Sequence, residues 1–243
     1  MAKFTMPLQS MFPRRRGMRT REYVPMKKTE IGTFEEFHEL ITSFSSSSIY
    51  RGVCDHKYTL KTSLGRKRNI QTKDIFAIEA KMMRLFKAHS TAYIGSKPNN
   101  EWEWLALAQH HGLPTRLLDW TRNPLVALFF ATFSHRLNGA VYVLKNVMDI
   151  VDPETTPYEM SDVGVYYPSH ITSRITGQSG LFTSHPLPEE EYKSDNIEKI
   201  IIKYNKKSQL VTELRKYGVH RASLFPDLDG LCEDIKWSNE FST

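Results

Sequence analysis

Within thirteen residues, Gln109–Thr121 (QHHGLPTRLLDWT) collects an amide, two imidazoles (His110 and His111), two hydroxyls (Thr115 and Thr121), a guanidinium (Arg116) and a carboxylate (Asp119). The segments on either side are strongly apolar, and a polar turn held between buried elements is a usual place to present binding groups. Several chemistries fit these residue types. Asp119 pairs with Arg116 in one reading, and in another His110 and Asp119 serve a hydrolase as base and orienter. Thr121 reads either as a turn hydroxyl bonding local backbone or as a site group. The two histidines stand seven or more residues from Asp119, which is not a metal-ligand spacing. A serine hydrolase would need a nucleophile on a Gly-flanked turn, and Gly-x-Ser-x-Gly is absent.

Two further centres add to this one. Tyr50-Arg51-Gly52 places a guanidinium at the end of a short strand, beside a glycine that lets backbone approach an anion closely. Gln178-Ser179-Gly180-Leu181-Phe182-Thr183 reads as a polar turn leading into an apolar pair. Trp102, Trp104 and Trp120 read as core side chains rather than a stacking platform.

The elements that must position these groups are legible in part. Thr33 and Glu36 form a capping box for a helix through Phe44, and Ile49–Gly52 is strand-like. Thr72 is the expected cap of a helix carrying Ile75, Ile78, Met82, Leu85 and Phe86. Glu101–His110 reads as a helix stopped by Gly112 and Pro114. Asn123 and Pro124 launch a helix over Leu125–Phe133 that is apolar all round and therefore central. Gly139–Leu144 and Ile200–Tyr204 read as buried strands. Ser208 is the expected cap of a helix through Tyr217, and Pro226–Trp237 a short helix. Helices dominate the first half and no strict βαβ alternation appears, which argues α+β.

Bulk properties narrow the class. In 243 residues with two cysteines, Cys54 and Cys232, neither a disulfide framework nor a multi-cysteine metal site is expected. No run approaches the roughly 18–20 apolar residues that a membrane span needs, so the expected location is cytoplasmic and no membrane partner is expected. The net charge is +6, yet residues 1–28 carry eight basic residues against Glu22, and the remaining chain sums to −1. Residues 1–28 therefore read as a basic, flexible leader and 29–243 as one domain. Arg14, Arg15, Arg16, Arg19 and Arg21 could touch a nucleic-acid backbone or simply be solvated.

Taken together, YRGVCD, YTLKTSLGRK, WEWLALAQHHGLPTRLLDWTRNPLVALFFAT, GAVYVL, GQSGLFTSHP and SLFPDLDGL resemble the FRG-domain family, from Tyr50 to Leu231. The order of parts also resembles, more loosely, the ADP-ribosyltransferase fold. In that resemblance Arg51 corresponds to the arginine that holds the NAD phosphates. Leu118-Asp119-Trp120-Thr121 followed by Ala127–Ala131 corresponds to the Ser/Thr-bearing strand and its helix. Gln178 stands where a Gln-x-Glu would begin, and the position two later is Gly180. The resemblance implies an α+β fold with an ADP-ribosyltransferase-like mixed sheet core and a helical N-terminal half. It implies an NAD-dependent glycosyltransferase, a toxin or antiviral defence effector, for which a neutralising protein partner is possible; the arginine-rich leader and the near-neutral remainder favour RNA or DNA over protein as the acceptor. Asp119, Thr121 and Gln178 would be catalytic, and Arg51, Gly52, Gln109, His110, Thr115 and Arg116 would bind the NAD. A non-catalytic nucleotide- or nucleic-acid-binding module is the alternative.

Overall fold

The computed structural model describes residues 25–66, 74–133, 136–147, 149–168 and 177–240. Among these, seven strands join in one mixed sheet: β1 (Lys27–Ile31), β2 (Ile49–Val53), β3 (Leu117–Thr121), β4 (Gly139–Leu144), β5 (Gly164–Tyr166), β6 (Gly180–Ser184) and β7 (Ile197–Ile202). Their order is β1-β7-β4-β2-β3-β6-β5, with β1 and β7 parallel and all other neighbours antiparallel. Seven helices accompany them among the described residues: α1 (Phe34–Thr42), α2 (Ile75–Ser90), α3 (Glu101–His110), α4 (Pro124–Thr132), α5 (Lys207–Lys216), α6 (Arg221–Leu224) and α7 (Leu228–Glu240). The fold is α+β.

Local chemistry accounts for the best-defined starts. Glu36 N donates to Thr33 Oγ1 at 3.2 Å while Thr33 N donates to Glu36 Oε2 at 3.1 Å, closing the expected capping box. Asn100 caps α3, and Asn123 with Pro124 at the first helical position starts α4.

The layers follow from the two-residue period of the strands. Tyr50, Val141, Val143, Ile200 and Ile202 share one face and pack with α1, α4 and α5. Tyr50 pairs with Thr121, so Leu117, Asp119 and Thr121 lie on that same face. Leu117, Phe182 and Tyr166 pack there with Trp102 and Leu105 of α3. The helices thus form two groups over one face, and a gap remains between α3 and α4. Ile49, Val53, Leu118, Trp120 and Leu181 occupy the other face, covered by connecting segments through Leu60 and Tyr192.

Several elements differ from the sequence reading. Residues 117–121, a polar turn when read from the residues alone, are a strand inside the sheet, as the looser resemblance implied for Leu118–Thr121; residues 180–184 are a strand as well. The strand expected at Ile200–Tyr204 ends at Ile202, because Tyr204–Lys206 turns into a 3₁₀ helix. Ser208 is not a cap. Lys206 holds that position, and the next residue, Lys207, is buried with its Nζ donating to Cys54 O at 3.0 Å. Pro226 separates two helices, α6 and α7. β1 and β5 have no counterpart in the sequence reading, and β1 includes Lys27 and Lys28 of the expected leader. Thr72 and Arg14, Arg15, Arg16, Arg19 and Arg21 lie outside the described residues. No helix among the described residues is long and apolar enough to cross a membrane.

Candidate functional site

The sheet opens between β2 and β3. Only Tyr50 and Thr121 pair across these strands, and continued pairing would bring Gly52 opposite Asp119. Instead Arg51 Nη1 donates to the Asp119 main-chain carbonyl at 2.6 Å and reaches Asp119 Oδ2 at 3.3 Å. By alternation Arg51 leaves β2 on the face opposite Tyr50, so its side chain crosses the opening between the strands. It is 13% exposed, whereas the Asp119 side chain is 57% exposed.

Beside β2 the backbone of α4 approaches very closely. A Cβ at Gly52 would stand 1.9 Å from Ala127 O, so no larger residue fits there without displacing the helix.

The gap between α3 and α4 is a cleft of about 320 Å³. At its polar end, Gln109 Nε2 donates to both Asp119 oxygens, at 3.2 and 3.1 Å. Thr115 Oγ1 donates to Gln109 Oε1 at 2.7 Å, which fixes the amide so that its nitrogen faces the carboxylate. His110 adds an imidazole to this end. Val126, Phe130 and Phe225 form an apolar end, the two rings meeting edge to face at 6.1 Å.

Of the residues singled out in the sequence, Arg51, Gly52, Gln109, His110, Asp119, Thr121 and Gln178 all line this one cleft. Thr121 Oγ1 donates to Gln178 O at 2.7 Å and accepts from Asn123 N at 3.0 Å, so it ties β3 to the segment before β6. Gln178 Nε2 donates to Leu224 O at 3.0 Å. These two residues shape the cleft through main-chain bonds. Ser179, with φ of 47°, completes the turn and its carbonyl accepts from Arg122 N.

Thr115 and Arg116 are placed elsewhere. Thr115 is fully buried behind Gln109. Arg116 is not the partner of Asp119: it is 3% exposed and bonded to Glu79, with Nη2 at 2.5 Å and Nε at 2.9 Å from Oε2. Arg116 immediately precedes β3, and its guanidinium turns to Glu79 of α2 rather than to the cleft. Trp102, Trp104 and Trp120 are buried in the core. No cluster of three or more potential metal ligands occurs among the described residues.

Sequence reasoning did not single out Val126, Phe130 or Phe225 as lining groups. All three lie in stretches that carry the family resemblance, but only the fold brings the loop after α6 against α4.

Residues 46–139 match the family model of the FRG domain. The match runs from just before β2 to the start of β4, a shorter span than Tyr50 to Leu231. It includes Arg51, Gln109, His110, Asp119 and Thr121, while Gln178 and Phe225 lie beyond it. No curated protein and no solved structure matches the chain.

Proposed function

From a chain whose residues 46–139 are an FRG domain, we propose an enzyme that binds NAD in the cleft and transfers its ADP-ribose to an acceptor. The observation that supports this reading is the opening of the sheet at Arg51, with a polar end and an apolar end in one cleft. A dinucleotide has the same division, an anionic diphosphate and ribose hydroxyls beside flat rings.

Arg51 neutralises the diphosphate, and the ring lies against Phe130 and Phe225. As the nicotinamide–ribose bond breaks, its electron pair leaves with the neutral ring, and positive charge grows at the ribose carbon. A carboxylate facing that carbon lowers the barrier. Asp119 is the one carboxylate among the described residues lining the cleft. It stabilises the growing charge and takes the proton that the acceptor loses on attack. Gln109 holds both of its oxygens in place.

The acceptor we propose is nucleic acid, from the concentration of positive charge in residues 1–28. Labelled NAD is incubated with the protein and with separate pools of RNA, DNA and protein, Arg51→Ala alongside. Label entering RNA or DNA, and lost with the variant, supports the reading; label entering only protein removes the nucleic-acid part. Intact NAD with no labelled pool overturns it.

A second reading is a nucleotide-binding module without turnover. It is favoured by the commitment of Asp119 to Arg51 and Gln109, which leaves the carboxylate less available as a base. NAD binding that is lost in Arg51→Ala, with no nicotinamide released, would select this reading.

A further inference from the structure

α7 turns its polar side inward and its apolar side to solvent, the reverse of a surface helix that only covers a core. Its 13 residues bury Gly230 and Asp234 against the rest of the chain. Asp234 accepts from Arg215 Nη1 at 2.7 Å and from Arg221 N at 3.2 Å, and the Arg215 guanidinium lies over the Trp237 ring at 4.9 Å. At Gly230 the helix meets backbone, since a Cβ there would stand 2.0 Å from Phe225 O. This contact uses none of the three large aliphatic side chains of the helix. Leu228 is 77% exposed, Leu231 45% and Ile235 54%. Spaced at i, i+3 and i+7, with the exposed Cys232 between them, they form one apolar stripe along two turns. Single exposed leucines need no explanation, but a continuous stripe at helical spacing marks a contact surface.

Charge beside the stripe selects its occupant. Asp229 and Lys236 are both exposed, and neither joins an ion pair among the described residues. Seven residues apart, they stand on the same flank of the helix, two turns from each other. Leu228 and Ile235 have the same separation along the stripe. If this helix packs antiparallel on itself, the two-fold axis passes beside Leu231 and Cys232. Leu228 then meets Ile235 of the other copy, and Asp229 faces Lys236 of the other copy, each contact being made twice. A partner carrying one sign of charge would satisfy Asp229 or Lys236 and be repelled by the other. A second copy satisfies both.

We infer that α7 is a contact between two copies of this chain, packed antiparallel through Leu228, Leu231 and Ile235. A helix of 13 residues is about 20 Å long, which suits a weak, concentration-dependent dimer rather than an obligate one. The paired helix is also the one that meets Phe225, a lining residue of the cleft, at Gly230.

Sedimentation velocity of the full chain from about 1 to 100 μM tests the contact, together with a short bis-maleimide that joins thiols lying near the axis. Wild type is expected to pass from monomer to dimer over that range. The reagent is expected to join two copies through Cys232, and Cys232→Ser to give no joined pair. Leu231→Asp puts a carboxylate into the contact and is expected to raise the dimer dissociation constant about tenfold or more. Position 231 faces solvent in the single chain, so the fold is expected intact, and circular dichroism checks this. Asp229→Lys is expected to weaken the dimer about fivefold at low salt, and Asp229→Lys with Lys236→Asp to restore it to within about twofold. A dimer indifferent to Leu231→Asp, or a double change no tighter than the single one, overturns the antiparallel pair. A chain that is monomeric at every concentration overturns it as well. Cys232 slow to alkylate would then place residues 1–24 on this face, and Cys232 freely alkylated would leave it to a different protein.

Discussion

Arg51 Nη1 donates to the main-chain carbonyl of Asp119 at 2.6 Å, at the point where the pairing of β2 with β3 stops. The guanidinium closes one side of the opening, and the same nitrogen touches the Asp119 carboxylate. A lysine keeps the charge but has a single nitrogen, which cannot serve the carbonyl, the carboxylate and a phosphate together. Arg51→Lys is expected to lower NAD affinity about tenfold or more while costing only about 1 kcal/mol of stability. Equilibrium dialysis with labelled NAD and denaturant unfolding measure both. Affinity equal to wild type would remove Arg51 from the binding role.

Asp119 presents a carboxylate that Gln109 aligns through both oxygens. Asp119→Asn preserves size and removes the negative charge and the proton acceptor. Turnover of NAD is expected to fall about 100-fold or more, with NAD affinity within about threefold of wild type. Steady-state kinetics and direct titration separate the two. A variant as fast as wild type would show that Asp119 neither stabilises charge nor takes the proton.

Gly52 stands where α4 meets β2, with Ala127 O in the space a side chain would fill. Gly52→Ala must push helix and strand apart, and overpacking of this kind costs about 1–3 kcal/mol, more where backbone is the obstacle. Chemical denaturation is the measurement. The displaced helix carries Val126 and Phe130 of the cleft, so nucleotide binding is expected to weaken with stability. A variant as stable as wild type would mean that α4 can move freely at this point.

The parts of the fold legible in the sequence are those whose signals are local. The Thr33–Glu36 box, the Asn123-Pro124 start and the apolar run Gly139–Leu144 each lie within a few residues of the structure they determine. β5 has three residues, too few to display a period. Ser208 looked like a cap because capping residues recur inside helices as well, and only the buried Lys207 fixes where α5 begins. The cleft was legible as a set of residue types, since Arg51, Gln109, Asp119 and Gln178 meet in it. Its wiring was not. Arg116 and Asp119 are close in sequence, but Arg116 stands before β3 and its partner, Glu79, lies 37 residues away. Nor does any residue announce that β2 and β3 part after one pair.

Arg116 and Glu79 form an ion pair in which both side chains are almost fully buried, and the Arg116 main-chain nitrogen also donates to Glu79 Oε1. Arg116 Nη1 donates further to Pro157 O, and its guanidinium lies over the Tyr158 ring at 4.9 Å. Glu79→Gln leaves a buried guanidinium without its counter-charge and is expected to cost about 3–5 kcal/mol. The double change Glu79→Leu with Arg116→Met removes both charges and is expected to cost less than either single one. A thermodynamic cycle from denaturant unfolding of the four proteins gives the answer. Additive penalties would mean the pair is not coupled.

His185 is buried beside β6. Its Nε2 lies 2.8 Å from Thr183 Oγ1, the same hydroxyl to which Trp120 Nε1 donates at 2.9 Å. Loss of solvent, and then the positive charge of Arg51, lower its pKa from 6.5 to about 3. Between those two values the unfolded chain binds a proton on this imidazole and the folded chain does not. Acidification therefore favours unfolding. The contribution is intact above pH 6.5 and is lost progressively towards pH 3, with a slope of up to about 1.4 kcal/mol per pH unit. His185→Gln has no such proton to bind. Its stability is expected to fall less steeply than that of wild type between about pH 6.5 and pH 4, whatever its absolute value. Urea unfolding at half-unit intervals measures the two slopes. Parallel curves would mean that His185 titrates normally in the folded chain, and that the buried Trp120–Thr183–His185 chain opens to solvent before the protein unfolds.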